Sequence, residues 1–190
     1  MIASYLQLLS RRYQGKLDED ADIFIGYAVE GAERLQNLLR DLLELQQVDK
    51  RNKPLSMAPL ANLIDRACAS LSQTIAQSNA KITYSDLPTI CCEEQAFVQL
   101  FVHLLDNAIK YRKDGVRPEI HISAEHTKSG VWEIRVHDNG IGIEPEFRER
   151  IFNVFQRLHP RSMYPGTGIG LAICKKIVEV NGGRIRAESE

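Results

Sequence analysis

The sequence predicts an α+β protein in which a helical hairpin precedes a mixed sheet covered on one face by helices. Three observations predict it. Apolar residues recur at alternating four and three spacing through the first 48 positions. Alternation by two, the mark of a half-buried strand, is confined to "KITYS" and to two arms around "TKSG". Helical periodicity then returns after a long irregular stretch, from Leu171 to Val178.

At 190 residues the chain has room for one ordinary domain and an appendage. Its 24 basic and 25 acidic residues nearly cancel, which excludes a broad electrostatic attraction to nucleic acid or anionic lipid. It has no apolar run of about 18 residues and no basic-then-apolar N-terminus, so cytoplasm without membrane contact is the expected setting. Cys68, Cys91, Cys92 and Cys174 lack paired C-x-x-C spacing and read as small apolar groups in a reducing compartment.

Taking the elements in order, Ile2, Leu6, Leu9 and Tyr13 form the stripe of a first helix, and "QGKLDED" interrupts it. Phe24, Ala28, Gly31, Leu35, Leu38, Leu42 and Leu45 continue the spacing on a second helix, as in a coiled coil or four-helix bundle. Asp18, Glu19 and Asp20 suit the start of that helix, which is roughly 40 Å long at about 1.5 Å per residue. Such a hairpin cannot bury its seam alone, so a homodimer through residues 1–48 is expected.

The composition changes in "VDKRNKPLSMAP", which places a linker at 49–54 and a second domain over 55–190. There, residues 60–78 read as one amphipathic helix, "AKITYSDLP" as a strand and 93–111 as a helix. A hairpin follows, with Ile120, Ile122 and Ala124 on one arm and Trp132, Ile134 and Val136 on the other; Gly130 takes the left-handed turn position. "NGG" ends the last helix, and "RIRAES" begins a further strand.

Three motifs carry chemistry. In "HLLDNAIKYRKDG", the Asn107 carbonyl suits a magnesium ion brought by phosphates, and Lys110 and Lys113 return near the same helical face to meet those phosphates. In "HDNGIGI", Asp138 can accept from an exocyclic amine such as that of adenine, while Gly140 and Gly142 let the chain pass beneath a flat base. In "PGTGIGL", Gly166, Gly168 and Gly170 clear side chains from a helix start, so that N–H groups around Thr167 and Leu171 can face phosphate oxygens. The long loop between the glycine motifs reads as a lid, anchored by Phe152 and Phe155, with Arg157 able to approach a terminal phosphate.

Taken together, "HLLDNAIKYR", "HDNGIGI", "IFNVFQRLH" and "GTGIGLAICKKIVEVNGGRI" resemble the catalytic ATP-binding domain of bacterial sensor histidine kinases, in the manner of phytochrome-like sensors. The resemblance implies a two-layer α/β sandwich and a four-helix dimer that docks the receiver domain of a response regulator. It implies ATP and Mg2+ as ligands, with the metal on Asn107. It also implies nucleotide contacts at Lys110, Tyr111, Asp138, Gly140, Gly142, Phe152, Phe155, Arg157, Gly166, Thr167, Gly168, Gly170 and Leu171.

Two departures matter. No histidine precedes His103, so the family's phosphoacceptor has no match here; this implies a fragment of a longer sensor or a natural truncation. The family's final strands after "NGGRIRAES" are likewise missing. His103 stands one turn before Asn107, where the family usually has glutamate or asparagine, and reads either as a catalytic group, beside Asn107 and Lys110, or as a tolerated substitution. The expected function is transfer of the ATP γ-phosphoryl to a histidine and onward to a regulator aspartate. The rival is a non-catalytic dimeric module with a vestigial or allosteric pocket.

Overall fold

The computed structural model describes residues 1–49, 54–128, 130–160 and 163–189. The chain divides into two compact units, Met1–Gln46 and Gln47–Glu190. The expected linker falls mostly on residues 50–53, outside those described.

In the first unit, α1 (Ile2–Tyr13) and α2 (Glu19–Asp49) are joined by a turn in which Gly15 has φ +71°. Asp18 caps α2, its Oδ1 accepting from the Ala21 N–H at 2.8 Å, and Asp22 Oδ2 accepts from the Gly15 N–H at 2.8 Å. Gln7 Nε2 on α1 donates to Glu33 Oε1 on α2 at 2.7 Å. The inner side of the hairpin is marked by half-buried Ala3, Leu6 and Ser10 and by Ala21, Ile25, Val29 and Ala32.

The bulky heptad positions, for which a second copy is expected, lie largely outward. Phe24 and Leu35 are 66% and 69% exposed, and Ile2, Leu9, Tyr13, Ala28, Gly31 and Leu42 also face outward. The half-buried apolar positions of α2 include the small and β-branched Ala21, Ile25, Val29 and Ala32, while of the bulky heptad stripe Leu38 and Leu45 are half-buried and Phe24, Leu35 and Leu42 are exposed.

The second unit contains two small sheets. Strands β1 (Ser56–Pro59) and β3 (Thr89–Cys92) pair antiparallel. The larger sheet has the order β2-β4-β5, with β2 (Lys81–Ser85) parallel to β4 (Glu119–His126) and β4 antiparallel to β5 (Trp132–Asp138). Helices α3 (Leu60–Ser70), α4 (Ser72–Ser78), α5 (Glu94–Lys110) and α6 (Gly170–Val180) complete it. Leu63, Ile64 and Ala67 of α3 and Phe101, Leu105 and Ile109 of α5 close over Ile120 and Ile122 of β4. The α6 helix packs on α5 through buried Ile173, Cys174 and Ile177. Among the described residues no helix is long and apolar enough to cross a membrane.

Three further expectations change, and two short strands go unannounced. The 60–78 helix breaks at Leu71 (φ −100°, ψ 12°), whose N–H is shared between the Ala67 and Cys68 carbonyls, the tightened end of a helix. Strands β1 and β3, with four residues each, are too short for alternation to reveal. Residues 184–189 form no strand; Ser189 instead accepts from the Ile143 N–H at 3.0 Å. Trp132 pairs with His126, beyond the last core pair Ala124 and Ile134, and stays 41% exposed. Gly130 does turn with φ +81°.

Ile122 is fully buried at the centre of the sheet. Ile122→Ala is expected to lower unfolding free energy by about 3 kcal/mol, read from the denaturant midpoint.

Candidate functional site

Helix α5 buries Phe101, Leu105, Ala108 and Ile109 and leaves His103, Asp106, Asn107 and Lys110 half-buried on its other side. Asn107 Oδ1 accepts from Lys110 Nζ at 3.2 Å, one helical turn on. Burial pushes the Lys110 ammonium below the ordinary lysine range; Asp106 opposes that shift and Arg157 adds to it. An ammonium so placed gains from an arriving anion, which restores the charge stabilisation that water no longer gives. The helix ends at Lys110, so Lys113 lies beyond it, exposed, and no longer follows the helical spacing from Asn107.

The first glycine motif is joined to the end of that helix. The Ile141 N–H donates to the Tyr111 carbonyl at 2.9 Å. Gly140 lies so close beneath this junction that an added Cβ would stand 2.7 Å from the Tyr111 carbonyl oxygen and 2.6 Å from Asp138 Oδ1. Asp138 Oδ1 accepts from the Gly140 N–H at 2.8 Å, which orients the carboxylate at the end of β5. A carboxylate offers about four acceptor sites, so capacity remains for an exocyclic amine. Gly142 has φ +78°.

The second glycine motif closes the arrangement. A Cβ at Gly166 would lie 3.2 Å from Lys110 Nζ, one at Gly168 would lie 2.9 Å from the Gln156 carbonyl, and one at Gly170 would lie 3.2 Å from His103 Nδ1. Each glycine thus admits a different neighbour. The turn ends at Ile169, the N-cap of α6, whose side chain offers no acceptor to the first-turn N–H groups. Thr167 Oγ1 accepts from the Ile169 N–H at 3.4 Å, and Leu171 follows, half-buried, in the first turn of α6.

Arg157 donates to the Tyr164 carbonyl at 2.5 Å and to the Gly166 carbonyl, so this loop cation is held beside the same turn. Of the two expected loop anchors, Phe152 is buried and Phe155 is 61% exposed, at φ +64°. The motifs give no sign of a ring cluster formed by Tyr111, His159 and Tyr164; its trace in the sequence is an aromatic residue directly before the proline–glycine pair. A separate cavity of about 380 Å³ is lined by Ile141, Gly142, Phe147, Arg148, Leu158 and His159 among others, and by none of Asn107, Lys110 or Asp138.

Among the described residues no group of three His, Cys, Asp or Glu side chains could hold a metal ion. The donor set, a single amide oxygen at Asn107 beside two cations, fits a magnesium ion carried in by phosphates rather than one caged by protein.

Residues 92–190, just over half the chain, match the family model described as histidine kinase-, DNA gyrase B- and HSP90-like ATPase. The chain is 47% identical over 189 residues to cyanobacterial phytochrome A of Nostoc sp., covering 100% of this chain and 24% of that protein. It is 43% identical over 188 residues to the phytochrome-like protein Cph1 of Synechocystis sp., covering 99% and 25%. It therefore spans about a quarter of the length of these relatives. In fold it is similar to full-length ShkA solved in complex with AMPPNP, with a TM-score of 0.67 and 23% identity over 100% of this chain and 43% of that one. It is also similar to histidine kinase ThkA solved with response regulator protein TrrA, with a TM-score of 0.66 and 21% identity over 98% and 53%.

Proposed function

This chain belongs to the histidine kinase-, DNA gyrase B- and HSP90-like ATPases as the catalytic core of a phytochrome-like two-component sensor, and we propose that it presents ATP for γ-phosphoryl transfer to a histidine. In this reading Asp138 accepts from the adenine amine, with Gly140, Gly142 and Tyr111 around the base. Lys110, Arg157 and the N–H groups of Gly166, Thr167, Gly168, Gly170 and Leu171 face the phosphates, and Phe152 seats the loop that carries Arg157. Asn107 holds Mg2+, which supplies charge neutralisation on the phosphates when bound.

One observation carries this reading. Lys110 Nζ approaches the Cβ position of Gly166 to 3.2 Å, so the asparagine helix and the second glycine turn meet at one place. Two cations, a helix start and a base-reading carboxylate then serve one anionic nucleotide. The acceptor imidazole attacks the γ-phosphorus, a P–N bond forms, and the bond to the bridging oxygen breaks with its electron pair leaving on ADP. A receiver aspartate then takes the phosphoryl group.

The outward apolar stripe of Phe24, Leu35 and Leu42 supports the homodimer through residues 1–48, with a response regulator docking on that bundle. The division into a hairpin at 1–48, a linker at 49–54 and an ATP-binding domain at 55–190 belongs to the same reading, as does a cytoplasmic setting without nucleic-acid partners.

The chain has no histidine before His103, so the test supplies the acceptor. The purified chain is incubated with γ-labelled ATP and Mg2+, with and without a dimeric helical hairpin bearing an acceptor histidine. Label on the added hairpin is expected. Steady release of free phosphate assigns the chain to hydrolysis, and tight ATP binding without transfer assigns it to the non-catalytic module.

A further inference from the structure

Tyr164 stands in an exposed stretch, between Met163 at 64% exposure and an exposed Pro165, yet its own ring is half-buried. The ring lies 4.9 Å from that of Tyr111, tilted by 47°, and 5.4 Å from that of His159, tilted by 60°. Tyr111 and His159 complete the triangle at 6.2 Å. Tyr111 is the residue that ends α5, and its ring also carries Lys110 Nζ at 4.5 Å from the centroid. A loop ring is thus docked on the helix that supplies Asn107 and Lys110.

The backbone just after Tyr164 is stiff. Pro165 fixes its own φ and restricts the residue before it. Arg157 clamps both sides of that proline through the carbonyls of Tyr164 and Gly166. The far end of this short segment is Gly166, whose Cβ position is 3.2 Å from Lys110 Nζ. The two ends of Tyr164–Pro165–Gly166 therefore lie beside neighbouring residues of one helix end, the Tyr164 ring on Tyr111 and Gly166 beside Lys110. With Arg157 holding the carbonyls on both sides of the proline, a shift of the glycine turn would carry the Tyr164 ring with it.

We propose that Tyr164 is a positioning residue: its ring, docked on Tyr111, sets the second glycine turn against Lys110, so that nucleotide affinity depends on an aromatic side chain at 164. The hydroxyl is not part of this role. The proposal rests on the nucleotide-site reading above and adds to it a residue outside the four motifs.

The test compares the full chain with Tyr164→Ala and Tyr164→Phe, using a fluorescent ATP analogue and amide hydrogen exchange of the nucleotide-free proteins. Tyr164→Ala is expected to bind about tenfold more weakly, the scale of removing two aromatic pairings at once, with faster exchange at residues 166–168 and a melting temperature lowered by only a few degrees. Tyr164→Phe is expected to match the parent in both. Unchanged affinity and exchange in Tyr164→Ala overturn the proposal, as does a Phe variant as weak as the Ala variant. Tighter binding by Tyr164→Ala also overturns it, because the ring would then be a latch that nucleotide must displace. If the parent chain binds no ATP, the nucleotide reading fails, and the exchange of the free loop alone still decides whether Tyr164 sets the turn.

Discussion

Asp138→Ala is expected to lower ATP affinity by roughly 100-fold, measured by isothermal titration with the melting temperature held as a control. A hydrogen bond to a charged acceptor is worth about 1.5–3 kcal/mol, and here the carboxylate also orders its own loop through the Gly140 N–H at 2.8 Å. The two losses act on the same ligand. Asp138→Asn provides the sharper chemical control, since an amide can donate as well as accept. It is expected to bind ATP more weakly than the parent while losing discrimination against nucleotides whose base carries a carbonyl in place of the amine. If Asp138→Ala binds ATP as the parent does, the base lies elsewhere, with the cavity beside Phe147 and Leu158 the next place to look.

How far the site is legible in the sequence depends on whether a residue type is forced. Gly140, Gly166, Gly168 and Gly170 stand where a Cβ would meet a carbonyl, an ammonium, a second carbonyl and an imidazole. At Gly140 and Gly168 the neighbour is backbone closer than 3.0 Å, and at Gly166 the positive φ disfavours a Cβ, so the residue type is constrained and the sequence displays it. The Asn107 and Lys110 pairing is legible for a similar reason, since a spacing of three on a helix puts both on one face. Lys113 is misplaced by the same logic because the extrapolation runs past the end of α5, and periodicity does not announce where a helix stops.

Other features are not forced at any single position. The bulky stripe of the hairpin reads the same whether it faces α1 or a second molecule, and half-burial in the chain falls on Ile25, Val29 and Ala32 as well as on Leu38 and Leu45. The Tyr164 ring depends on where α5 ends and on how the loop returns to it, neither of which a local pattern encodes. His103 reads from the sequence as a group that could act on the acceptor or on a water. Its ring lies against Gly170 at the start of α6, where an added Cβ would stand 3.2 Å from Nδ1, which makes packing at the helix junction its visible role.

Gly140→Ala and Gly166→Ala are expected to separate fold from site. At Gly140 the new methyl would meet the Tyr111 backbone carbonyl at 2.7 Å, and that carbonyl already holds the Ile141 N–H. Backbone cannot step aside as a side-chain tip can, so the junction between the end of α5 and the loop after β5 must open. Forced overpacking of this kind costs about 1–3 kcal/mol, so Gly140→Ala should lower both the melting temperature and ATP affinity. At Gly166 the neighbour is Lys110 Nζ, the far end of a flexible chain, but φ is +145°, where a residue with a Cβ is strained. The loop, not the core, absorbs that strain. Gly166→Ala should therefore melt with the parent while ATP affinity falls by about tenfold, a ΔΔG of about 1.4 kcal/mol. Paired calorimetric melting and nucleotide titration distinguish the two, and equal losses of stability in both variants would place Gly166 in the core rather than at the phosphates.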